Sequence, residues 1–371
     1  MSLNTSANGD WIADLALFEL TSIVLEDCIF SMKSLPRLPL MLGALCAAAL
    51  SLTPPANAQQ TTAAAYVVVD HQTGHVLDSL NSSKKLPISS LTKIATAAVV
   101  LDWAQASNQN LDQLATVPAL SSELQNSRGL GLAPGDKISL RELLYACLLP
   151  SDNAAAETLA DHVGRSLGGE SSQPPIVSFV SQMNALARKL GMRNTRFLNA
   201  HGLEGLEWRR PYSTAQDVAK LTVYAMSNPA FRYYVSQETR RIVIRRRDGQ
   251  SSEYRLRNTN ELLGKEAIDG VKTGTSKNSG QCLVISAARP PEAYKEGDTF
   301  YTIPRRLEVV VLGSQDRFTE ASGLLKRGWK LFDRWVAEGR PLEPVKTAPA
   351  RSTQTVLPPS ASSAPVAELV Q

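Results

Sequence analysis

Apolar and polar positions recur along this chain with two different periods, and each change of period marks a change of predicted element. Residues 63–70, AAAYVVVD, and 75–81, HVLDSLN, are short runs around β-branched residues, separated by HQTG; they predict a hairpin about Gly74. Residues 87–103, PISSLTKIATAAVVLDW, read as a polar cap and then a buried helix of small and apolar residues. Lys93 interrupts that pattern one turn inside the apolar run, where a charge is expensive.

Further along, Pro134-Gly135-Asp136 predicts a turn. Ser139 and Glu142 form a capping box that opens LRELLYACLL, and Pro150 ends that helix. Helical spacing continues through AAAETLADHVGR and IVSFVSQMNALARKLGM, so the middle of the chain is mostly helical. Strand character returns in RRIVIRRR, SEYRLRN, GQCLVISAAR and RLEVVVLG, the last two joined by a Pro-rich connection over 290–306. The stripe Leu324, Leu325, Trp329, Phe332 and Trp335 predicts a terminal helix that lies on a sheet and stops at Gly339. Strands near both ends predict a sheet built from distant parts of the chain. Helices from roughly 104 to 235 form an inserted subdomain, and the cleft between the two parts is the natural place for a site.

Composition bounds this picture without changing it. The chain has 371 residues, 43% hydrophobic and 20% charged, enough for a substantial core. Met32-Lys33-Ser34 and Arg37, the apolar stretch Leu40 to Leu52 and the small residues before Gln59 predict a signal peptide over 32–58, too short to span a bilayer. Residues 1–31 carry five acidic residues and no basic one, the opposite of a signal-peptide start, and read as a non-native extension before Met32. The domain is therefore 59–339, followed by a Pro-, Ala- and Ser-rich tail over 340–371 that predicts disorder and no membrane anchor. Removing residues 1–58 takes away two basic and five acidic residues and raises the formal net charge from +4 to +7, which suits an anionic polymer but is no nucleic-acid signature. Of four cysteines, Cys147 and Cys282 remain, and both read as buried thiols. The four histidines form no metal-binding pattern, so neither metal nor cofactor is expected.

Ser90-Leu91-Thr92-Lys93 matches S-x-x-K, but so does Ser82-Ser83-Lys84-Lys85. Context separates them: Ser82 lies in a polar connection, whereas Ser90 opens a helix that brings Lys93 back to the same face. Burial lowers a lysine's pKa, and a neutral lysine can take a proton from a serine without help from a histidine. Taken alone, the stretch equally fits a capping serine with a lysine that snorkels to water. Ser151-Asp152-Asn153 then places a hydroxyl and an amide on one turn between helices. In DGVKTGTSKNSGQCLVIS, Lys272, Thr273 and Thr275 present polar groups, and Gly274 permits close approach of a ligand backbone.

The set S-x-x-K, S-D-N, K-T-G in that order is the one found in penicillin-binding proteins and class A β-lactamases. With GLAPGDKISLRELLYACLLPSDNAAAETLADHV, NTRFLNAHGLEG, YSTAQDVAKL and NTNELL, residues 64–339 resemble the low-molecular-mass penicillin-binding proteins, the serine D-alanyl-D-alanine carboxypeptidases. The resemblance implies a mixed α and β, β-lactamase-like, penicillin-recognising serine transferase fold, in which an antiparallel sheet flanked by helices carries an all-helical subdomain. It also implies that Ser90 attacks peptidoglycan stem peptides with Lys93 as base, that Ser151 and Asn153 relay protons and hold the substrate, and that Lys272 supports the proton network. Thr273 and Thr275 would bind the terminal carboxylate beside Gly274, and the Ser90 and Thr275 N–H groups would hold the oxyanion. β-Lactams would be covalent inhibitors.

Thr259 and Thr275 stand where some members carry arginine and histidine, which rests carboxylate recognition on hydroxyls and Lys272. Residues 171–203 contain no Asp or Glu, which argues against a class A β-lactamase. A DD-endopeptidase would use the same machinery. A non-enzymatic wall-binding module would rely on Arg240, Arg241, Arg245, Arg246 and Arg247.

Overall fold

The structure, a computed structural model, describes residues 61–120, 124, 129–168, 173–204, 210–296 and 299–340. The expected extension, the signal peptide and all but the first residue of the expected tail lie outside the described residues. Five antiparallel strands make the central sheet: β1 (Ala65–Asp70), β2 (Val76–Leu80), β7 (Ile268–Ser276), β8 (Gly280–Glu296) and β9 (Thr299–Ser314), in the order β2-β1-β9-β8-β7. The first and last strands of the domain are thus neighbours, with Ala65 opposite Leu312. Every residue of β1 is buried, because Val67 and Val69 face one apolar cluster and Tyr66 and Val68 the other.

Helix α1 (Thr92–Ala106) is almost wholly buried on the first face. Small and apolar residues cover its whole circumference, as a central core helix requires. The terminal helix α7 (Arg317–Ala337) closes the second face through Ala321, Leu324, Leu325, Trp329 and Phe332. The inserted part contains α2 (Leu140–Leu148), α3 (Asn153–Gly168) and α4 (Pro175–Lys189), followed by α5 (Ala215–Met226) and α6 (Pro229–Val235). The Ser139–Glu142 capping box opens α2 as expected. Among the described residues, Cys147 and Cys282 are buried free thiols, and no helix is long and apolar enough to cross a membrane.

Two details differ from expectation. The strands β5 (Thr239–Arg245) and β6 (Ser251–Arg257) do not join the central sheet but pair with two three-residue strands, β3 (Leu114–Thr116) and β4 (Lys137–Ser139). Ile242, Ile244 and Leu256 turn inward to the helical core, while Val243 and the flanking Arg241, Arg245, Arg255 and Arg257 face out. The described residues of the Pro-rich stretch, 290–296 and 299–306, are strand. Beyond Ala287, β7 no longer covers β8, and the register shifts between Arg289 and Glu292, so Pro290 and Pro291 occupy a bulge on an open edge.

Candidate active site

Ser90 sits in a single 3-10 turn, Ser89–Leu91, that runs into α1. Neither Ile88 nor Leu91, the residues that precede the turn and the helix, makes a side-chain cap, and the Ser90 hydroxyl faces Lys93. Lys93 is 0% exposed, so it does not snorkel. Its Nζ donates to Ser90 Oγ (3.0 Å), Asn153 Oδ1 (2.6 Å) and the His201 carbonyl (2.7 Å). Burial lowers its pKa from 10.5 to about 8, with Cys147 and Asp152 acting in the opposite sense. That drop corresponds to a cost to the charged form on the order of 3 kcal/mol. The three acceptors match the three hydrogens of an ammonium. When Lys93 is neutral, two hydrogens can keep Asn153 and His201 while the lone pair faces the serine.

The S-D-N turn is held by its middle residue. The Asp152 carboxylate is buried and accepts from Leu130 N–H (2.8 Å) and Ala155 N–H (2.7 Å), and so caps α3. This fixes Asn153 against Lys93 and leaves Ser151 in a left-handed conformation, φ +69°. The Ser151 Oγ is buried without a hydrogen-bond partner among the described residues. Such an orphaned hydroxyl is available to a substrate or a transferred proton.

K-T-G lies on β7 beside the Ser90 turn. Lys272 is 1% exposed and donates to the Thr273 carbonyl (3.0 Å); burial, then Lys93, then Arg317 hold its pKa well below the usual lysine range. A side chain at Gly274 would bring its Cβ to 3.1 Å from the Ile88 carbonyl and 3.3 Å from Ser90 N, so glycine is what lets the strand approach the Ser90 turn. Ser89 Oγ donates to the Thr275 carbonyl (3.1 Å) and clamps the two together. From the other side Gly202, φ +88°, lies against the Ser89 carbonyl, where any Cβ would clash at 2.0 Å.

Four further groups complete the cleft. Arg317, at the start of α7, donates from Nη1 to Thr275 Oγ1 (2.7 Å) and the Gly274 carbonyl (3.1 Å), while its Nε is buried without a partner among the described residues. A guanidinium therefore stands where the sequence suggests only hydroxyls and Lys272. The one available signal is a cation in the first turn of a helix, where the macrodipole disfavours it. Thr259 Oγ1 donates to the Leu149 carbonyl (3.1 Å) and contacts Thr273 Oγ1 (2.6 Å), which ties the end of α2 to β7.

The third and fourth groups form a pair. His201 accepts Leu203 N–H at Nδ1 (3.1 Å), which leaves Nε2 as the protonated nitrogen, 3.8 Å from Glu157 Oε2. Burial, reinforced by Asp161, raises Glu157 to about 7; burial, then Lys93, lowers His201 to about 3. All eight residues singled out in the three motifs line this cleft or support it, whereas Ser82 and Lys85 do not: Lys85 lies over the Tyr212 ring, with Nζ 5.0 Å from its centre.

The D-alanyl-D-alanine carboxypeptidase family profile matches residues 52–292. The chain is 32% identical over 287 residues to D-alanyl-D-alanine carboxypeptidase DacC of Escherichia coli, a match covering 75% of this chain and 64% of that protein's length. It is 34% identical over 264 residues to a D-alanyl-D-alanine endopeptidase of Pseudomonas aeruginosa, covering 68% and 77%. Among solved structures, that of the Streptomyces K15 DD-transpeptidase superposes with a TM-score of 0.62 at 31% identity, covering 73% of this chain and 98% of that one. Penicillin-binding protein D2 of Listeria monocytogenes in its cefotaxime-bound form gives 0.58 at 27%, with the same coverage. Both the sequence match and the fold lead to one conclusion: the chain belongs to the D-alanyl-D-alanine carboxypeptidase family of serine peptidases.

Proposed function

We propose that the protein is a serine-type D-alanyl-D-alanine carboxypeptidase acting outside the cytoplasm on peptidoglycan stem peptides, with residues 59–339 as the catalytic unit released from a signal peptide over 32–58. The observation that carries this reading is Lys93: fully buried, lowered to about 8, and 3.0 Å from a serine hydroxyl that caps nothing.

Neutral Lys93 takes the Ser90 proton as Oγ attacks the carbonyl carbon between the two D-alanines. The Ser90 and Thr275 N–H groups stabilise the oxyanion. Thr273, Thr275 and Arg317 hold the terminal carboxylate, with the unpartnered Arg317 Nε as a free donor. Ser151 passes a proton to the departing amine, Asn153 holds the substrate amide, and Lys272 keeps the field positive. The C–N bond breaks and D-alanine leaves. Water then attacks the ester and regenerates Ser90. A β-lactam enters the same sequence, and without a deacylating acid in 171–203 its ester persists.

The endopeptidase reading uses the same groups, and the Pseudomonas relative carries that name. Incubation with a monomeric pentapeptide muropeptide and a cross-linked dimer, with products read by mass spectrometry, separates the two. Release of D-alanine from the monomer is expected; cleavage of the dimer alone would replace the carboxypeptidase reading, and no product from either would overturn both.

A further inference from the structure

Beyond Thr259 and Arg317 the cleft continues into a cavity of about 1120 Å³, walled by the β5–β6 hairpin and the loop 258–265. Arg255 and Arg257 stand two apart on β6 and so share its outer face. Both line this cavity together with Lys265 and Arg317, and two carboxylates, Glu238 and Glu261, line it as well. The cations outnumber them four to two.

The side chains of Arg255 and Arg257 form no hydrogen bond or ion pair among the described residues, although both backbones pair in the β5–β6 ladder. Arg255 is paired directly across the hairpin with Arg241, an arrangement that costs stability when both are charged, and Arg241 already holds Glu253 (3.2 Å). Guanidinium groups left unneutralised at the rim of a concave surface suit a carboxylate brought from outside, which they can bind in bidentate fashion. The position decides which part of a substrate that is. The cavity opens from Thr259 and Arg317, the end of the cleft where the proposed reaction holds the leaving group's carboxylate.

We propose that Arg255 and Arg257, with Lys265, form a subsite for a second carboxylate on the leaving-group side, so that the favoured leaving group is an anionic peptide or acidic residue and not D-alanine alone. This rests on the acyl-transfer reading given above and adds a specificity to it.

The test uses three substrates that share the acyl part diacetyl-L-lysyl-D-alanyl and end in D-alanine, D-2-aminoadipate or D-norleucine. In the parent protein, kcat/KM for the aminoadipate substrate should exceed that of its neutral isostere by about tenfold, the size of one charge-assisted contact, and the ratio should shrink with added salt. The double substitution Arg255→Ser, Arg257→Ser should bring the ratio to near one while acylation by labelled penicillin and hydrolysis of the D-alanine substrate stay within about twofold. Arg257→Glu should push the ratio below one. A parent ratio of one, or a ratio untouched by these substitutions, overturns the subsite. Absence of penicillin acylation and of all hydrolysis in the parent overturns instead the reaction on which the subsite rests.

Discussion

Ser82 to Lys85 and Ser90 to Lys93 are the same four-residue pattern placed eight residues apart, and the structure treats them in opposite ways. Lys85 is exposed and lies over the ring of Tyr212. Lys93 is sealed within the first turn of α1, with three oxygen acceptors drawn from three different segments of the chain. The pattern is shared, so the chemistry resides in what surrounds it. Desolvation depresses the lysine, and acceptors on α3 and at residue 201 fix its direction.

The contrast is sharpest at the two serines. Ser90→Ala should abolish acylation by labelled penicillin, while Ser82→Ala should leave it within about twofold; the adduct mass reads both, and an adduct on Ser90→Ala would undo the assignment. At the lysines, Lys93→Ala should slow acylation by about 10²- to 10⁴-fold, the usual contribution of a positioned base, with Lys85→Ala silent under stopped-flow measurement. The pH profile follows from the first-named lysine alone. Its pKa is lowered to about 8, so the neutral base becomes available as pH rises, and acylation should climb about tenfold per unit below that value and level off above it.

The smallest effect tests how far the dry region around Lys93 extends. Glu157 is raised from 4.5 to about 7, so between those values the folded chain keeps a proton that the unfolded chain has lost. Its contribution to stability is full below about 4.5 and falls as pH rises to about 7. Glu157→Gln should flatten that part of the stability curve in urea titrations at stepped pH, and an unchanged slope would place Glu157 in contact with water.

Much of the site was legible because its parts are local. The capping box, the helical return from Ser90 to Lys93 and the alternation through Thr273 and Thr275 are all set by spacings of two to four residues. Arg317 offers only the weak signal of a cation in a helix's first turn, because nothing in its own helix connects it to Thr275; the sheet alone brings them together. Glu157 is hidden for a related reason: residues 171–203 hold no acid, and the one that approaches His201 lies earlier, one turn beyond Asn153 on α3. The second sheet and the strand through Pro290 and Pro291 were hidden because strand pairing is decided by partners and open edges, not by composition.

The neighbouring placement of β1 and β9 has a consequence for how the molecule comes into being. A ribosome delivers Ser90 and Lys93 early, yet the strand that carries Thr275 and the helix that carries Arg317 are made near the end, and the sheet cannot close until β9 is there to lie against β1. Pairings this distant in sequence make for slow, late assembly. The surroundings of Ser90 are therefore completed only late in synthesis, once β7, β9 and α7 have all been made.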